Sequence, residues 1–516
     1  MNHLETTFEQ RLSMLLAGDK MLPRGGKIGI ERETLRVTET GGMSAQRHPK
    51  SLGATLTHAH IMTDYAEPML ELVTDPHDSV DSAVAQLDEL TRFVYQNIGD
   101  ETLWPHSMPC VLGDEANIPI AEYGDSGIGQ FKHLYRVGLA HRYGRTMQVI
   151  SGVHFNMSLP SEAWQRLYPD LPADEARNTG YFVALRNLQR IGWMVPYLFG
   201  SSPAACRSMA RGRATALMLQ NGTTLVGPDA TSLRLGDMGY NNADKRGYSF
   251  KANYSSIEDY IQSLKWAVST PREDFEVIGL EGPEGPRQLS ANHLQIENEY
   301  YASVRPKQPV KSGETPLLAL KRRGVEYLEV RSLDVNPWFL TGVDPQALKV
   351  IECLVWLAAL DELDEISSDE HAVIEDNWRQ VAHYGRKANV ELKTPCGIMG
   401  LNVWAKYIGQ QLLAVAKCLG DSHVEAVEQC VIDVLEGRAE PLSAKWLEEM
   451  GSDGFFCKVM AMAKQHQQNA LSAPLDPERL DALRTEAAQS LEAAEQTDGR
   501  MLNQIIEDYT RTWEQV

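Results

Sequence analysis

Glu31 and Glu33, in GIERETLRV (residues 29–37), are spaced to lie on one face of a β-strand, because strand side chains alternate with a period of two. Two carboxylates on one strand face repel each other unless a positive group sits near them. A divalent cation meets that need, and so do neighbouring arginines or open solvent. A lone Glu-x-Glu does not choose between these. Further acids follow in THAHIMTDYAEPMLELVT (residues 57–74), which carries Asp64, Glu67 and Glu71. Later, GVEYLEVRSLDVNP (residues 324–337) puts Tyr327, Glu329 and Arg331 on one face and Leu328 and Val330 on the other. Hard divalent ions prefer oxygen ligands, and magnesium is commonly shared between carboxylates and phosphates. Glu31, Glu33, Asp64, Glu71 and Glu329 are therefore candidate ligands, with Arg331 placed to neutralise a phosphoryl group in transfer.

The elements that must position these groups read as follows. Residues 1–20 form a short amphipathic helix, and residues 29–37 the opening strand. Pro68 breaks any single helix through the second acidic stretch, which predicts a turn at Asp64 and a strand over Met69–Thr74. Asp78–Asn97 is a helix capped by Asp78 or Ser79. Thr146–Pro160 predicts a half-buried strand whose polar face holds Gln148, His154, Asn156 and Ser158. A single histidine there is more often structural than a ligand. Leu294–Pro306 alternates in the same way, and Thr231–Tyr240 is a strand-to-loop connection bearing Arg234 and Tyr240. Asp174–Leu198 and Ser256–Val268 are helical, and from Asp344 the chain turns mostly helical. The acidic run Asp361–Glu370 reads as a solvated helix end and loop. No repeat or linker divides the chain, so one α+β domain is expected over residues 1–516, with its sheet within about 25–345 and a mostly helical part over about 346–516.

Composition narrows the function class. The 516 residues carry a formal charge of −21, which argues against a general nucleic-acid binder. Seven scattered cysteines without Cys-x-x-Cys spacing argue against a zinc cluster or a disulfide framework and fit a reducing compartment. There is no signal-peptide pattern at the N-terminus, and the apolar run near Val350–Leu360 is too short to span a bilayer, so a cytoplasmic protein without membrane contact is expected. Phosphate-loop, dinucleotide-fingerprint and zinc-helix motifs are missing. Gly124-Asp125-Ser126-Gly127 has the look of a protease nucleophile loop but lacks the surrounding all-β strands, and reads as a surface turn.

Seven blocks in order (GIERETLRV, THAHIMTDYAEPMLELVT, FKHLYRVGLAHRYG, QVISGVHFNMSLP, TSLRLGDMGY, LQIENEYYASVRPK and GVEYLEVRSLDVNP) resemble the proteobacterial type of glutamate–cysteine ligase. The resemblance runs from about residue 25 to 345 and continues more weakly beyond. It implies a glutamine-synthetase-like catalytic fold: a curved, mainly antiparallel sheet forming a funnel that holds two or three Mg²⁺ ions, with Mn²⁺ an alternative. The implied reaction joins L-glutamate to L-cysteine with ATP as co-substrate, through a γ-glutamyl phosphate. Carried onto this chain, the metal ligands are Glu31, Glu33, Asp64, Glu71, His154 and Glu329, and Arg331 contacts the transferring phosphoryl group. Arg234 and Asn156 hold glutamate. Tyr65, Tyr135, Gln148, Tyr240 and Tyr301 shape the cysteine pocket, although Tyr65 stands where the family pattern has Phe. A related ligase with another amine acceptor, a non-catalytic scaffold and a metal-dependent hydrolase stay open on sequence alone. Oligomeric state is not legible, and a monomer is compatible with the sequence.

Overall fold

A computed structural model describes residues 2–516 apart from 212–214, 240–249, 312, 362, 395–396 and 497–498. Its centre is a seven-stranded, wholly antiparallel sheet: β1 (Ile28–Val37), β2 (Ile61–Thr63), β3 (Met69–Val73), β4 (Thr102–Trp104), β5 (Gly152–Met157), β6 (Val304–Lys307) and β7 (Tyr327–Asp334). The order across the sheet is β6-β7-β5-β1-β3-β2, with β4 also paired to β1. Helices cover one face and make up most of the chain after Pro345, which is the α+β architecture expected.

Alternation along β1 divides the molecule into a core side and a site side. Ile28 and Ile30 join a large apolar core with the helices Val80–Tyr95, Ala173–Ile191 and Pro345–Leu360. The last of these is apolar nearly all round and is accordingly buried. Arg32 and Arg36 point away from Glu31 and Glu33, as the period of two requires. Arg32 Nη1 donates to the Leu340 carbonyl at 2.7 Å, and Arg36 Nη1 meets Glu101 Oε2 at 2.6 Å. Both guanidiniums are structural: a buried charge persists only where partners satisfy it.

Local signals account for the helix starts. Ser79 caps Val80–Tyr95 by accepting from the Ser82 amide, and Ser256 caps Ile257–Ser269 by accepting from the Asp259 amide. Ser126 likewise caps Gly127–Tyr143, so the Gly124–Gly127 stretch is a helix entry and not a nucleophile loop.

Several expectations are corrected. Met147–Val149 is a 3₁₀ turn, and the strand begins only at Gly152. Glu297–Glu299 is also a 3₁₀ turn, so only Val304–Lys307 of the third alternating stretch is strand. Residues 231–239 are turns and not a strand, with one β-bridge, from Ser232 to Ser202, and further hydrogen bonds to Ala382 and Asp334. The helix expected over Asp174–Leu198 breaks at Gly192 into Ala173–Ile191 and Met194–Phe199. Part of the acidic run Asp361–Glu370 already belongs to the helix Ser368–Tyr384, and Glu370 meets Arg190 at 2.6 Å. One disulfide joins Cys110 to Cys206, 96 residues apart, where none was expected. Their Cα atoms lie 5.3 Å apart because the loop after β4 runs beside the short strand Ala204–Cys206. Cys353, Cys418, Cys430 and Cys457 are free, and Cys396 lies outside the described residues.

The C-terminal helices reach the sheet through a second core. Trp446 and Phe455 pack on the ring of His106 with centroids 4.8 and 4.7 Å away. His106 is fully buried; its Nδ1 accepts from the Met108 amide and its Nε2 donates to the Ser201 carbonyl. Burial pushes its pKa down to about 3, so the fold holds the neutral ring. The unfolded chain binds a proton near pH 6.5 that the folded one refuses, so stability present above that pH is lost as pH falls toward 3. A denaturant-unfolding series from pH 7 to 4.5 should show His106→Gln less stable at pH 7 but with a pH slope shallower by about 1.4 kcal/mol per unit. An unchanged slope would mean that His106 is not held neutral.

Candidate active site

The register of the sheet assembles the acids. Glu31 on β1 stands opposite His154 on β5, Glu33 stands opposite Glu71 on β3, and Glu329 on β7 stands opposite Asn156 on β5. Directly paired residues share a face, so widely separated acids converge on one patch. A cavity of about 280 Å³ opens over it. Glu31, Glu33, Asp64, Tyr65, Glu71, Tyr135, Gln148, His154, Arg234, Tyr301, Glu329 and Arg331 all line this cavity. One described sequence candidate does not. Asn156 is turned to Glu31, donating from Nδ2 to Oε1 at 2.9 Å, and Tyr240 lies outside the described residues.

His154 is the hub. Its Nδ1 is 2.9 Å from Glu31 Oε2 and 3.8 Å from Glu329 Oε1, and its Nε2 is 3.7 Å from Glu33 Oε1. Donor atoms of Glu31, His154 and Glu329 all lie within 4.8 Å of one another, close enough to share one ion. Glu33 also accepts from the Gly152 amide at 2.6 Å. Asp64 sits in the tight connection between β2 and β3, where its amide bonds the Met69 carbonyl at 3.0 Å. Its own carbonyl accepts from Tyr123 and from Arg136, which stacks 4.7 Å over the Tyr123 ring.

Electrostatics separate the acids into two groups. Burial pushes Glu329 up, but Arg331 and Lys307 outweigh it and hold the carboxyl well below the usual range. Their nitrogens lie 3.0 and 3.2 Å from its two oxygens. Glu31 also ends below its ordinary value: burial and Glu329 raise it, while the bond to His154 and the charge of Lys307 lower it further. Glu71 goes the other way. Burial, then Asp64, Glu31 and Glu33, push it well above a normal carboxyl, and burial leaves Glu33 raised as well. On this side of the patch the protein supplies less positive charge than its carboxylates need. An oxygen-rich set short of counter-charge fits a hard divalent cation.

Sequence reasoning missed Arg136, Asn298, Arg305 and Lys307, which also line the cavity. Arg305 and Lys307 carried a readable signal: they alternate along β6, and Arg305 pairs directly with Glu329. Arg136 carried none, because its place depends on how Gly127–Tyr143 docks on the Asp64 connection. At the cavity wall, the Tyr65 hydroxyl and Gln148 Nε2 are buried without a hydrogen-bond partner among the described residues. Buried polar groups of that kind are costly unless something satisfies them, so they mark where a polar molecule would contact the wall.

Residues 14–381 match the glutamate-cysteine ligase family. A glutamate–cysteine ligase of Alcanivorax borkumensis is 37% identical over 530 residues, covering 99% of each chain, and one of Edwardsiella ictaluri is 41% identical over 463 residues, covering 87% of this chain and 88% of its own. The solved structure of a glutamate–cysteine ligase from Francisella tularensis, in complex with AMP, superposes with a TM-score of 0.91 at 32% identity, covering 96% of this chain and 99% of that one. A bifunctional glutathione synthetase from Pasteurella multocida shares the fold at a TM-score of 0.69 and 22% identity, over 90% of this chain and 54% of that one. With the family matched over most of its length and near-complete alignment to its members, the chain belongs to the glutamate–cysteine ligase family.

Proposed function

We propose that this chain ligates the γ-carboxylate of L-glutamate to the amine of L-cysteine, using ATP, through a γ-glutamyl phosphate. The carrying observation is the convergence of Glu31, Glu33, Glu71, His154, Glu329 and Arg331 on one sheet face, in a chain of this family. A carboxylate is a poor acyl donor, so it must be phosphorylated before an amine can displace its oxygen. Arg331 would take the phosphoryl oxygens as charge develops on them. Lys307, beside it, adds a second fixed positive charge.

Glu31, His154 and Glu329 would hold one divalent ion, with Glu33, Asp64 and Glu71 available to others. Mg²⁺ or Mn²⁺ bound there would neutralise charge on the ATP phosphates. Arg234 would hold a carboxylate of glutamate. Tyr65, Tyr135, Gln148 and Tyr301 would form the cysteine wall, and the walls of the cavity would keep water from the reactive acyl phosphate. Tyr240 belongs to this wall on the resemblance alone. Asn156 would act at one remove, by orienting Glu31. The helical part after residue 345 would belong to the same domain, since its helices complete both cores. Among the described residues no helix is long and apolar enough to cross a membrane. A cytoplasmic place would suit an enzyme drawing on ATP and a free thiol amino acid.

The direct test couples ADP release to a panel of amines and amino acids, with and without glutamate. Cysteine should be the preferred acceptor and glutamate obligatory; a different preferred amine would make the protein a sister ligase, and ATP-independent turnover would end the ligase reading. In the same assay, Glu329→Gln and Arg331→Ala should each lose roughly hundredfold or more in cysteine-dependent ADP release while circular dichroism stays unchanged. Rates close to wild type would remove both residues from the chemistry.

The raised pKa of Glu71 and Glu33 gives metal binding a sign. These acids must lose protons to ligate, so binding releases protons and weakens as pH falls. Free Mn²⁺ followed by electron paramagnetic resonance should show weaker binding at pH 6 than at pH 8. Glu31→Gln and Glu33→Gln should each weaken it about tenfold or more at both, with far less effect on the melting temperature of the metal-free protein. Binding that is independent of pH would mean that these acids are already ionised.

A further inference from the structure

Asp334, the last residue of β7, is a carboxylate that the reaction as described above does not use. Its side chain is fully buried, and the polar groups that meet its oxygens are donors. Oδ2 accepts from the Ser201 amide at 2.9 Å and from Ser202 Oγ at 2.6 Å, and Oδ1 accepts from Ser232 Oγ at 2.9 Å. Oδ1 also faces Arg234 Nη1 at 3.9 Å. Two segments far apart in sequence are thereby tied to the end of β7: residues 201–202 and the turn 231–235 that carries Arg234.

Arg234 is held on its other sides too. Its Nη2 donates to the Arg331 carbonyl at 2.8 Å, at the point where β7 bulges out of register with β5. The guanidinium lies against Gly152, where a Cβ would stand 2.0 Å from Nη2, so glycine leaves it room in this position. Nη1 is buried and makes no hydrogen bond among the described residues, and Arg234 lines the cavity. A buried guanidinium with one nitrogen unbonded beside a cavity is built to receive an anion.

We propose that Asp334 is a positioning residue for the amino-acid substrate whose carboxylate binds Arg234: its serine-held carboxylate fixes the guanidinium against Gly152 and the Arg331 carbonyl, at the place where Arg234 lines the cavity. This rests on the reading that Arg234 holds glutamate. The β-bulge serves the same end, since it brings the Arg331 carbonyl to Nη2 while the Arg331 side chain stays with Glu329. One short stretch, Glu329 to Asp334, would thus set both the phosphoryl side and the carboxylate side of the reaction. Asp334 touches neither substrate nor phosphate, and its effect passes through Arg234.

The test is the full steady-state kinetics of wild type, Asp334→Asn and Ser232→Ala. Each substrate is varied in turn, and a wild-type control lacks glutamate. Asp334→Asn should raise KM for glutamate about tenfold, the scale of one charge-assisted contact, with kcat and the KM values for ATP and cysteine within about threefold. Ser232→Ala keeps the charge and loosens its hold, and should raise KM for glutamate about threefold with wild-type thermal stability. An unchanged or lowered KM for glutamate overturns the proposal, as does an equal loss across all three substrates. If Asp334→Asn does not fold, Ser232→Ala decides alone by the same criterion. If wild type turns over equally well without glutamate, the functional reading fails; if it needs glutamate and neither variant shifts its KM, only the role of Asp334 fails.

Discussion

The constraint on which the rest depends is the burial of several carboxylates on one face of a sheet. Two like charges about 4 Å apart repel by about 4 kcal/mol at the effective dielectric of a protein surface, and burial adds to that. The fold answers by register. Glu31 opposite His154 and Glu33 opposite Glu71 bring the acids together, while Arg331 and Lys307 reach in from β7 and β6 to offset Glu329 and Glu31. A slip of one residue between β1 and β5 would turn Glu31 into the apolar core and Ile30 into the cavity.

The opposite face of β1 explains how such a patch is tolerated. Arg32 and Arg36 alternate with the two glutamates and are buried, yet neither sees them. Each has its own partners on that side, Arg32 the Leu340 carbonyl and Arg36 Glu101 and the Gln46 carbonyl. Charge balance is therefore kept separately on the two sides of the sheet. The site side is left short of positive charge around Glu71, which is the condition a metal-dependent site needs and a purely structural sheet would avoid.

What was legible in the sequence follows from this division. Strands β1 and β7 alternate because both faces are specified, and so Glu31, Glu33, Glu329 and Arg331 could be placed from periodicity; Glu71, the one polar residue of Met69–Val73, could be placed only on the strand that follows Pro68. Asp64 could be placed in a turn because Pro68 breaks the chain after it. Thr146–Val149 and Leu294–Tyr300 misled for the opposite reason. Each alternates over a few residues, but a 3₁₀ turn also buries every second or third side chain, and only the docking of Glu297 and Glu299 onto distant groups selects it. Arg136 and the Cys110–Cys206 pair were invisible because tertiary packing alone makes them neighbours. Periodicity reveals the faces of an element, not the partners that arrive from elsewhere. For His154 and Arg234 the family resemblance supplied what the pattern could not.

The two sides of the cavity are built from different materials, and this bears on how the chemistry and the acceptor relate. The groups assigned to phosphoryl transfer sit mainly on β1, β3, β5, β6 and β7, where each backbone is bonded to its neighbours. Those assigned to the cysteine wall sit off the sheet: Tyr65 in a bend, Tyr135 on a helix, Gln148 on a 3₁₀ turn and Tyr301 in a loop. Changing a side chain on this wall does not disturb a strand register, so the acceptor pocket can be altered while the acids stay in place. Tyr65 illustrates the point, since its hydroxyl is buried without a partner among the described residues, while Asp64 beside it keeps its amide bond to the Met69 carbonyl. On these assignments the sheet would fix the reaction type, and the segments laid over it would fix which amine completes it.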